Sequence, residues 1–141
     1  MSKSNTAEAD VLKLIFQGVS IAGIADNAAT PLTALWVALH TADPGETGTQ
    51  STNECTYGSY ARQSVGRTST GFSINGSIIS PVANVNFATA SSGTETATYF
   101  SVGVTSTGAG EILYSGSLTP TVSIATGVAP ILTTATAISE D

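Results

Sequence analysis

The chain from Trp36 to Glu54 reads WVALHTADPGETGTQSTNE, and YGSYAR follows at 57–62. The run from Thr33 to His40 is mostly apolar without alternation, which is typical of a strand covered on both faces. The polar residues behind it form a connection longer than most loops of compact domains, and loops of that kind are usually functional or disordered. The stretch therefore predicts a strand followed by a shaped connection that either braces the fold or contacts a neighbouring molecule.

Further strand signals follow at a spacing of roughly 8 to 12 residues, the pattern of an all-β sandwich. Asn75-Gly76 predicts a tight turn or a bulge, and Pro120 and Pro130 predict a sheet edge, a strand start or a bulge because proline cannot donate a ladder hydrogen bond. The pattern predicts an all-β fold, a jelly roll or a related β-sandwich, of about eight antiparallel strands. These strands are Thr33–His40, Tyr57–Val65, Gly71–Ile79, Val82–Phe87, Ala97–Thr105, Glu111–Ser117, Leu118–Ile124 and Val128–Ile138.

One short helix is predicted before the strands, at Ala7–Gln17, with Gly18 as its C-terminal stop. Its broad apolar stripe can dock on its own sandwich or on another subunit, and burial would contribute ~1.5 to 3 kcal/mol per fully buried side chain. Docking within the chain is favoured, since helices gain most of their stability by packing in their own domain. The stripe consists of Val11, Leu12, Leu14, Ile15 and Phe16.

The chain has 141 residues, which is within the usual range of a single domain. Met1–Thr6 is small and polar and predicts a flexible N-terminal arm. Residues 7–31 predict the short helical segment and a turn, with Ile21–Ala25 as a candidate second helical turn. Residues 32–141 then form one jelly-roll sandwich.

Composition excludes several classes of protein. Only 10% of the residues are charged, against ~25% in typical domains, and the net charge is -6. Nucleic-acid binding is not expected, because it requires a basic face that neutralises phosphates. Cys55 is the single cysteine, so no intramolecular disulfide forms. No apolar run approaches ~18 residues, so we expect no membrane insertion, and we expect synthesis and retention in a cytosol-like compartment.

The candidate metal ligands are His40, Asp43, Glu46 and Glu54. One histidine with scattered carboxylates satisfies neither a zinc site nor a calcium loop, so no metal or other cofactor is predicted. Asp43-Pro44-Gly45 is better interpreted as a turn.

The sequence also offers few side chains that could serve in catalysis. A hydrolase needs a nucleophile, a base and an orienting group placed together, and the chain has one histidine and one cysteine. Cys55 lies beside Glu54, whose negative charge opposes thiolate formation, so Cys55 is predicted to be a small packing residue. No enzyme activity is expected.

The candidate subunit contacts are four helical residues, two tyrosines and two arginines. Tyr57 and Tyr60 follow the polar connection and are expected to be exposed, as tyrosine is enriched at interfaces. Arg62 and Arg67 either bind carboxylates of a neighbouring subunit or pair with Glu46 or Glu54 of the same chain. The full set is Val11, Leu14, Ile15, Phe16, Tyr57, Tyr60, Arg62 and Arg67.

The aromatic side chains also leave two interpretations open. They could form a sugar-binding platform, but at 6% of the residues most of them are expected to fill the core. The residues concerned are Trp36, Phe72, Phe87, Tyr99 and Phe100.

The motifs LHTADPGE, QSTNE and Tyr-x-x-Tyr-x-Arg resemble those of small structural proteins of tailed bacteriophages, often called tail-fibre proteins. The resemblance extends from Leu32 to Ile138 and includes YSGSL at 114–118 and GVAP at 127–130. It implies a jelly-roll capsid cement or decoration protein on the outer surface of the head, made in the host bacterial cytoplasm. The implied partners are the major capsid protein and a second copy in a homodimer, with no nucleic acid and no membrane. The alternative is a tail-associated or receptor-binding module.

Overall fold

The computed structural model describes residues 5–21 and 30–139. An α-helix, α1 at Asn5–Leu12, continues into one π-helical turn at Lys13–Gln17. Nine strands follow among the described residues: β1 Ala34–His40, β2 Gln63–Gly66, β3 Phe72–Asn75, β4 Ile78–Pro81, β5 Val85–Asn86, β6 Thr94–Gly103, β7 Ile112–Ala125, β8 Ile131–Leu132 and β9 Ile138–Ser139.

The strands form antiparallel sheets in the orders β2-β1-β6-β7, β3-β4-β9 and β5-β8. This confirms an all-β fold with one short N-terminal helix, and it is consistent with an all-β sandwich. The helix prediction Ala7–Gln17 is also confirmed, since Gly18 ends it with a positive φ of 68°. Of the predicted arm Met1–Thr6, Asn5 and Thr6 belong to α1 and residues 1–4 lie outside the described residues. The turn predicted at Ile21–Ala25 lies outside them from residue 22.

The chain divides into two compact units. The hairpin unit comprises Met1–Ala34, Val65–Asn84 and Thr133–Asp141, and the sheet unit comprises Leu35–Ser64 and Val85–Leu132. In the hairpin unit, α1 and the π-helical turn accompany the sheet β3-β4-β9. The organisation of residues 32–141 as one jelly-roll domain stays a prediction.

The core of the sheet unit lies on both faces of β1. Leu35, Val37, Ala38 and Leu39 are all buried, as is His40 at the end of the strand. Side chains of successive strand residues point to opposite faces, so consecutive buried positions require cover on both sides. The prediction from the apolar run is therefore confirmed.

Pro120 and Pro130 lie at positions that tolerate a residue without a backbone N–H donor. Along β6 and β7 the register passes from Ala97↔Val122 to Tyr99↔Ser117, so β7 contains extra residues in a bulge that includes Pro120. Pro130 comes directly before β8. Both positions confirm the prediction of a bulge or a strand start.

Five parts of the predicted strand pattern differ in the structure. Gly71–Ile79 is divided into β3 and β4 by the turn at Gly76 and Ser77, and Val82–Phe87 is reduced to β5. The strand expected at Tyr57–Val65 is reduced to β2, because Ser59 has a left-handed φ of 73° and the Gly58 N–H donates to Ser92 outside the main sheet. Glu111–Ser117 and Leu118–Ile124 merge into the single strand β7. Val128–Ile138 is divided into β8 and β9 by a turn in which the Thr136 N–H donates to the Thr133 carbonyl.

Candidate functional site

The connection between β1 and β2, residues 41–62, is folded onto the sheet unit. A bridge joins His40 to Glu54, and the Cys55 N–H donates to the Leu39 carbonyl at 2.9 Å. Further along, the Gln50 N–H donates to the Gly110 carbonyl at 2.8 Å. These backbone bonds satisfy polar groups that a buried loop would otherwise leave unpaired. The connection is therefore shaped by its own chain.

His40 anchors the start of the connection. Its Nδ1 donates to the Thr52 carbonyl at 2.8 Å, and its Nε2 accepts from Ser101 Oγ at 2.7 Å. A carbonyl oxygen only accepts, so this pairing fixes the neutral tautomer with its proton on Nδ1. Burial lowers the pKa of His40, against the opposing effects of the Thr52 carbonyl and Glu54. Both ring nitrogens of His40 therefore have hydrogen-bond partners, and the bond to Thr52 holds the connection in place.

Gln50 is a second buried anchor that the sequence did not single out. Its side chain is 0% exposed, Nε2 donates to the Trp36 carbonyl, and Oε1 accepts from the N–H and hydroxyl of Thr105. Two glycines leave room for it: a Cβ at Gly103 would lie 2.3 Å from the Gln50 side chain, and one at Gly110 would lie 2.5 Å from it. The pattern in sequence is only a polar residue in a polar loop, which carries no signal of burial.

Arg62 closes the connection by a buried ion pair with Glu54. Nε donates to Oε1 and Nη2 to Oε2, each at 2.7 Å, in the bidentate geometry that guanidinium and carboxylate share. The remaining donors reach the Thr105 carbonyl at 3.0 Å and the Gly108 carbonyl at 2.7 Å. Arg62 is 5% exposed. Of the two interpretations left open by the sequence, the structure shows the pair within the chain.

The two tyrosines of the connection support this ion pair. Tyr60 donates its hydroxyl proton to Glu54 Oε1 at 3.1 Å and accepts from the Leu39 N–H at 3.0 Å. Tyr57 packs edge-on against the Tyr60 ring with 5.2 Å between centroids, and its hydroxyl donates to the Ala88 carbonyl. The expectation that Tyr57 is exposed is wrong, because a hydroxyl with a partner allows the whole ring to be buried. Tyr60 is half-buried.

Cys55 is a packing residue, as its 1% exposure shows. Burial, together with the negative charges of Glu95 and Glu54, raises the pKa of the thiol to about 12. Glu95 Oε1 accepts the backbone N–H groups of Thr56 and Tyr57 at 2.9 and 2.8 Å, which fixes this part of the connection. A thiol with so high a pKa is not a nucleophile near neutral pH.

The protein is expected to be most stable between about pH 7 and pH 8.5. The pKa of His40 lies below its usual value, so below about pH 6.5 the unfolded chain binds a proton that the folded chain does not, and stability falls. The pKa values of Cys55, Tyr57 and Tyr60 are raised by burial, so above about pH 9 the unfolded chain loses protons that the folded chain keeps, and stability falls again.

Urea unfolding at a series of pH values measures this profile. Each group contributes at most ~1.4 kcal/mol per pH unit, the value of one proton. The variant His40→Gln should remove the slope between about pH 6.5 and pH 5.5, where carboxylates contribute little. A wild-type slope that persists unchanged in this variant would contradict the assignment to His40.

The helical candidates lie in the hairpin unit. Phe16 is fully buried against Phe72, with 4.9 Å between ring centroids, whereas Val11, Leu14 and Ile15 are half-buried. The helix therefore docks within its own unit, the alternative that the sequence favoured.

Arg67 donates to three backbone carbonyls of the hairpin unit. Its Nη2 donates to the Leu14 carbonyl, its Nε to the Ile15 carbonyl and its Nη1 to the Leu32 carbonyl. The Leu14 and Ile15 carbonyls lie in the last turn of the helical segment, where carbonyls lack helical partners, so a cation there is stabilising. The roles of Arg67 and the other seven candidates as subunit contacts stay predictions.

Of the aromatic residues, Phe72, Phe87 and Phe100 are buried, and Trp36 and Tyr99 are half-buried. The interpretation that aromatics fill the core is confirmed for the three phenylalanines. An open cleft of about 330 Å³ lies between the segment 54–62 and the loop 106–108. Among the described residues, no group of three or more histidine, cysteine or acidic side chains could hold a metal ion.

These features define the chain as a small all-β protein in which a few buried polar side chains hold loops in place. The titratable side chains of His40, Glu54 and Arg62 are engaged in this way, and the described helices include none long and apolar enough to cross a membrane. Residues 2–138 match the family model of Podophage GP4 fiber I protein gp80, and the chain therefore belongs to that family. None of the curated proteins compared matches the chain. The family supports a structural, typically non-enzymatic role in the phage virion.

Proposed function

We propose that the protein is a capsid cement protein that binds the outer face of the phage head and bridges neighbouring major capsid subunits. The observation that carries the proposal is a weakly charged surface with large apolar side chains left about half exposed. They are Val19, Leu32, Ile78 and Val82 in the hairpin unit and Ile131 in the sheet unit. Apolar exposure of this kind, when grouped, marks protein interaction sites on soluble domains.

Bridging is the mechanism by which such weak contacts stabilise a shell. Four of the exposed apolar residues lie in the hairpin unit and Ile131 lies in the sheet unit, so one molecule could contact one capsid subunit through each unit. The second contact then forms at a high effective concentration, and the linked pair opposes separation of the subunits. The charge of -6 is also better suited to the outside of a head than to packaged DNA.

A homodimer is the simplest form for a bridge across a two-fold axis of the shell, because the two copies use the same surface patch. Sedimentation of the free protein and a reconstruction of the virion test this part of the proposal. Monomers seated away from the two-fold axes would contradict it, while leaving a monomeric cement protein possible.

A tail-associated or receptor-binding module is the second candidate. The family description names a fibre protein, and the cleft of about 330 Å³ is within the lower range of ligand sites. Copy number and position separate the two functions. A cement protein covers the head in many copies, whereas a tail module occurs in few copies at one vertex, which quantitative mass spectrometry and labelling of virions would distinguish. Few copies confined to the tail would overturn the first proposal.

Two exposed apolar residues at the ends of β4 provide the mutational test. Ile78 is the first residue of β4 and Val82 directly follows its last residue, Pro81, and both are about half exposed. The double variant Ile78→Ser and Val82→Ser should weaken retention on purified heads by about tenfold or more, as expected when ~1.4 kcal/mol of apolar contact is lost.

The comparison variant is Ile131→Ser, a similarly exposed residue in the sheet unit, and this single truncation should weaken retention less than the double variant does. Retention is measured by pelleting heads with labelled protein, after thermal unfolding has shown that each variant folds. Unchanged retention of the double variant would exclude Ile78 and Val82 as capsid contacts, and a loss with Ile131→Ser alone would place the contact on the sheet unit.

A further inference from the structure

The hairpin of β3 and β4 ends in an exposed two-residue turn. Asn75 pairs with Ile78, which leaves Gly76 and Ser77 as the loop. Gly76 has a φ of 63°, as the first position of a tight hairpin turn requires. Nothing lies within 4 Å of the place where a Cβ on Gly76 would be. The side-chain amide of Asn75 therefore adjoins a backbone nitrogen with no shielding side chain.

Asn75 is also the only asparagine of the chain that precedes a glycine. A side chain on the following residue ordinarily restricts the approach of its nitrogen to the asparagine amide, and glycine imposes no such restriction. Among the described residues, the Gly76 N–H makes no hydrogen bond. We propose that Asn75 is a site of spontaneous deamidation through a cyclic imide formed with the nitrogen of Gly76.

The reaction needs only water. The Gly76 nitrogen gives its proton to hydroxide and attacks Cγ of Asn75, so a C–N bond forms. The side-chain nitrogen takes a proton from water, which regenerates hydroxide, and its bond to Cγ breaks as ammonia leaves. Water then opens the imide at either carbonyl. Opening at the main-chain carbonyl routes the backbone through the side chain and gives isoaspartate, and opening at the other carbonyl gives aspartate. Neither route involves oxidation or reduction.

The fold controls the rate of this reaction. Asn75 is held in extended backbone by its pair with Ile78, and ring closure requires the turn end of the hairpin to open. The pair is the last of a ladder of four, and such ends open at low free-energy cost. By contrast, the Asn53 side chain donates to the Asp43 carbonyl at 2.9 Å, which holds its amide in place.

The products change the hairpin. Either product adds a negative charge to a chain already at -6. Isoaspartate also inserts an extra atom into the main chain at the end of β3, so the Asn75↔Ile78 register cannot be kept. Because a virion is not resynthesised after assembly, the change accumulates with the age of the particle. This inference does not depend on whether the protein is a cement or a tail module.

Incubation of the full chain at neutral and mildly alkaline pH, followed by peptide mass spectrometry, tests the proposal. We expect conversion of amide to acid at position 75, faster at higher pH, with both aspartate and isoaspartate present. Asn53, Asn84 and Asn86 are internal references and should convert several-fold more slowly. Conversion at position 75 no faster than at these sites, or acid without isoaspartate, would overturn the imide route.

The matched variant is Asn75→Gln, which keeps the amide and Gly76 but requires a larger ring. It should abolish the conversion at this position without changing the turn, and Gly76→Ala should slow it several-fold in chains that fold. Conversion of Asn75→Gln at the wild-type rate would contradict the proposal.

Discussion

Replacing Arg62 by methionine is expected to lower the free energy of unfolding by about 3 to 5 kcal/mol, because it leaves a charged partner without compensation inside the fold. The side chains of Arg62 and Glu54 are 2% and 16% exposed. Without the guanidinium, Glu54 keeps the hydroxyl of Tyr60 but loses both charge-assisted bonds. The Gly108 carbonyl also loses its donor, so the loop 106–108 is released from the connection.

Two further variants identify the cause of this loss. Arg62→Met combined with Glu54→Leu removes both charges and should recover part of the stability, since apolar replacements of buried pairs are often tolerated. Arg62→Lys should stay destabilised, because one ammonium cannot reach Glu54, Thr105 and Gly108 together. Urea unfolding measures all three variants. A loss below about 1 kcal/mol for Arg62→Met, the value of an exposed pair, would show that the site is solvated.

The sequence predicted those parts of the fold that depend on interactions between residues close together in the chain. The apolar run at β1, the helix stop at Gly18 and the turn at Asn75-Gly76 all depend on neighbours within a few residues of the chain. The strand expected from Tyr57 was shortened because groups distant in the chain determine its conformation. Its backbone pairs with Ser92 and with the Glu95 side chain, more than thirty residues away.

The candidate site was predictable only in part. The sequence offered Glu46 and Glu54 as partners for Arg62 within the chain, beside carboxylates of a neighbouring subunit, and did not choose between them. Gln50 was missed, because its burial requires Gly103 and Gly110 to be brought together from a distant hairpin. Tyr57 was misplaced because its hydroxyl partner is a backbone carbonyl, and backbone groups have no signal in the sequence.

The use of the two arginines also bears on the proposed function. The guanidinium of each arginine binds groups of its own unit. Arg62 binds Glu54 and loop carbonyls, and Arg67 binds carbonyls at the end of the helix. Half of the chain's positive charge is thereby committed to folding. A capsid contact that relied on these arginines would first have to break those bonds, so apolar and hydroxyl-rich surface is the better candidate for docking.

Truncating Phe16 to alanine is expected to cost about 3 to 5 kcal/mol, the usual range for a buried phenylalanine. The ring meets Phe72 edge-on at an interplanar angle of 71°, and the adjacent Gln17 side chain donates to the Phe72 carbonyl at 3.2 Å. The variant leaves a cavity beside β3 and weakens the attachment of the helix, because most helical stability comes from such packing.

Hydrogen exchange of the β3 and β4 amides, measured together with urea unfolding, localises the effect of Phe16→Ala to the hairpin unit. Leu14→Ala is the matched control, since Leu14 is half-buried and its truncation should cost less than half as much. Wild-type protection of β3 and β4 in Phe16→Ala would mean that the helix contributes little to its own hairpin in solution. The helix would then be available to dock on a neighbouring subunit, whereas a strong loss of protection commits its apolar face to the chain that carries it.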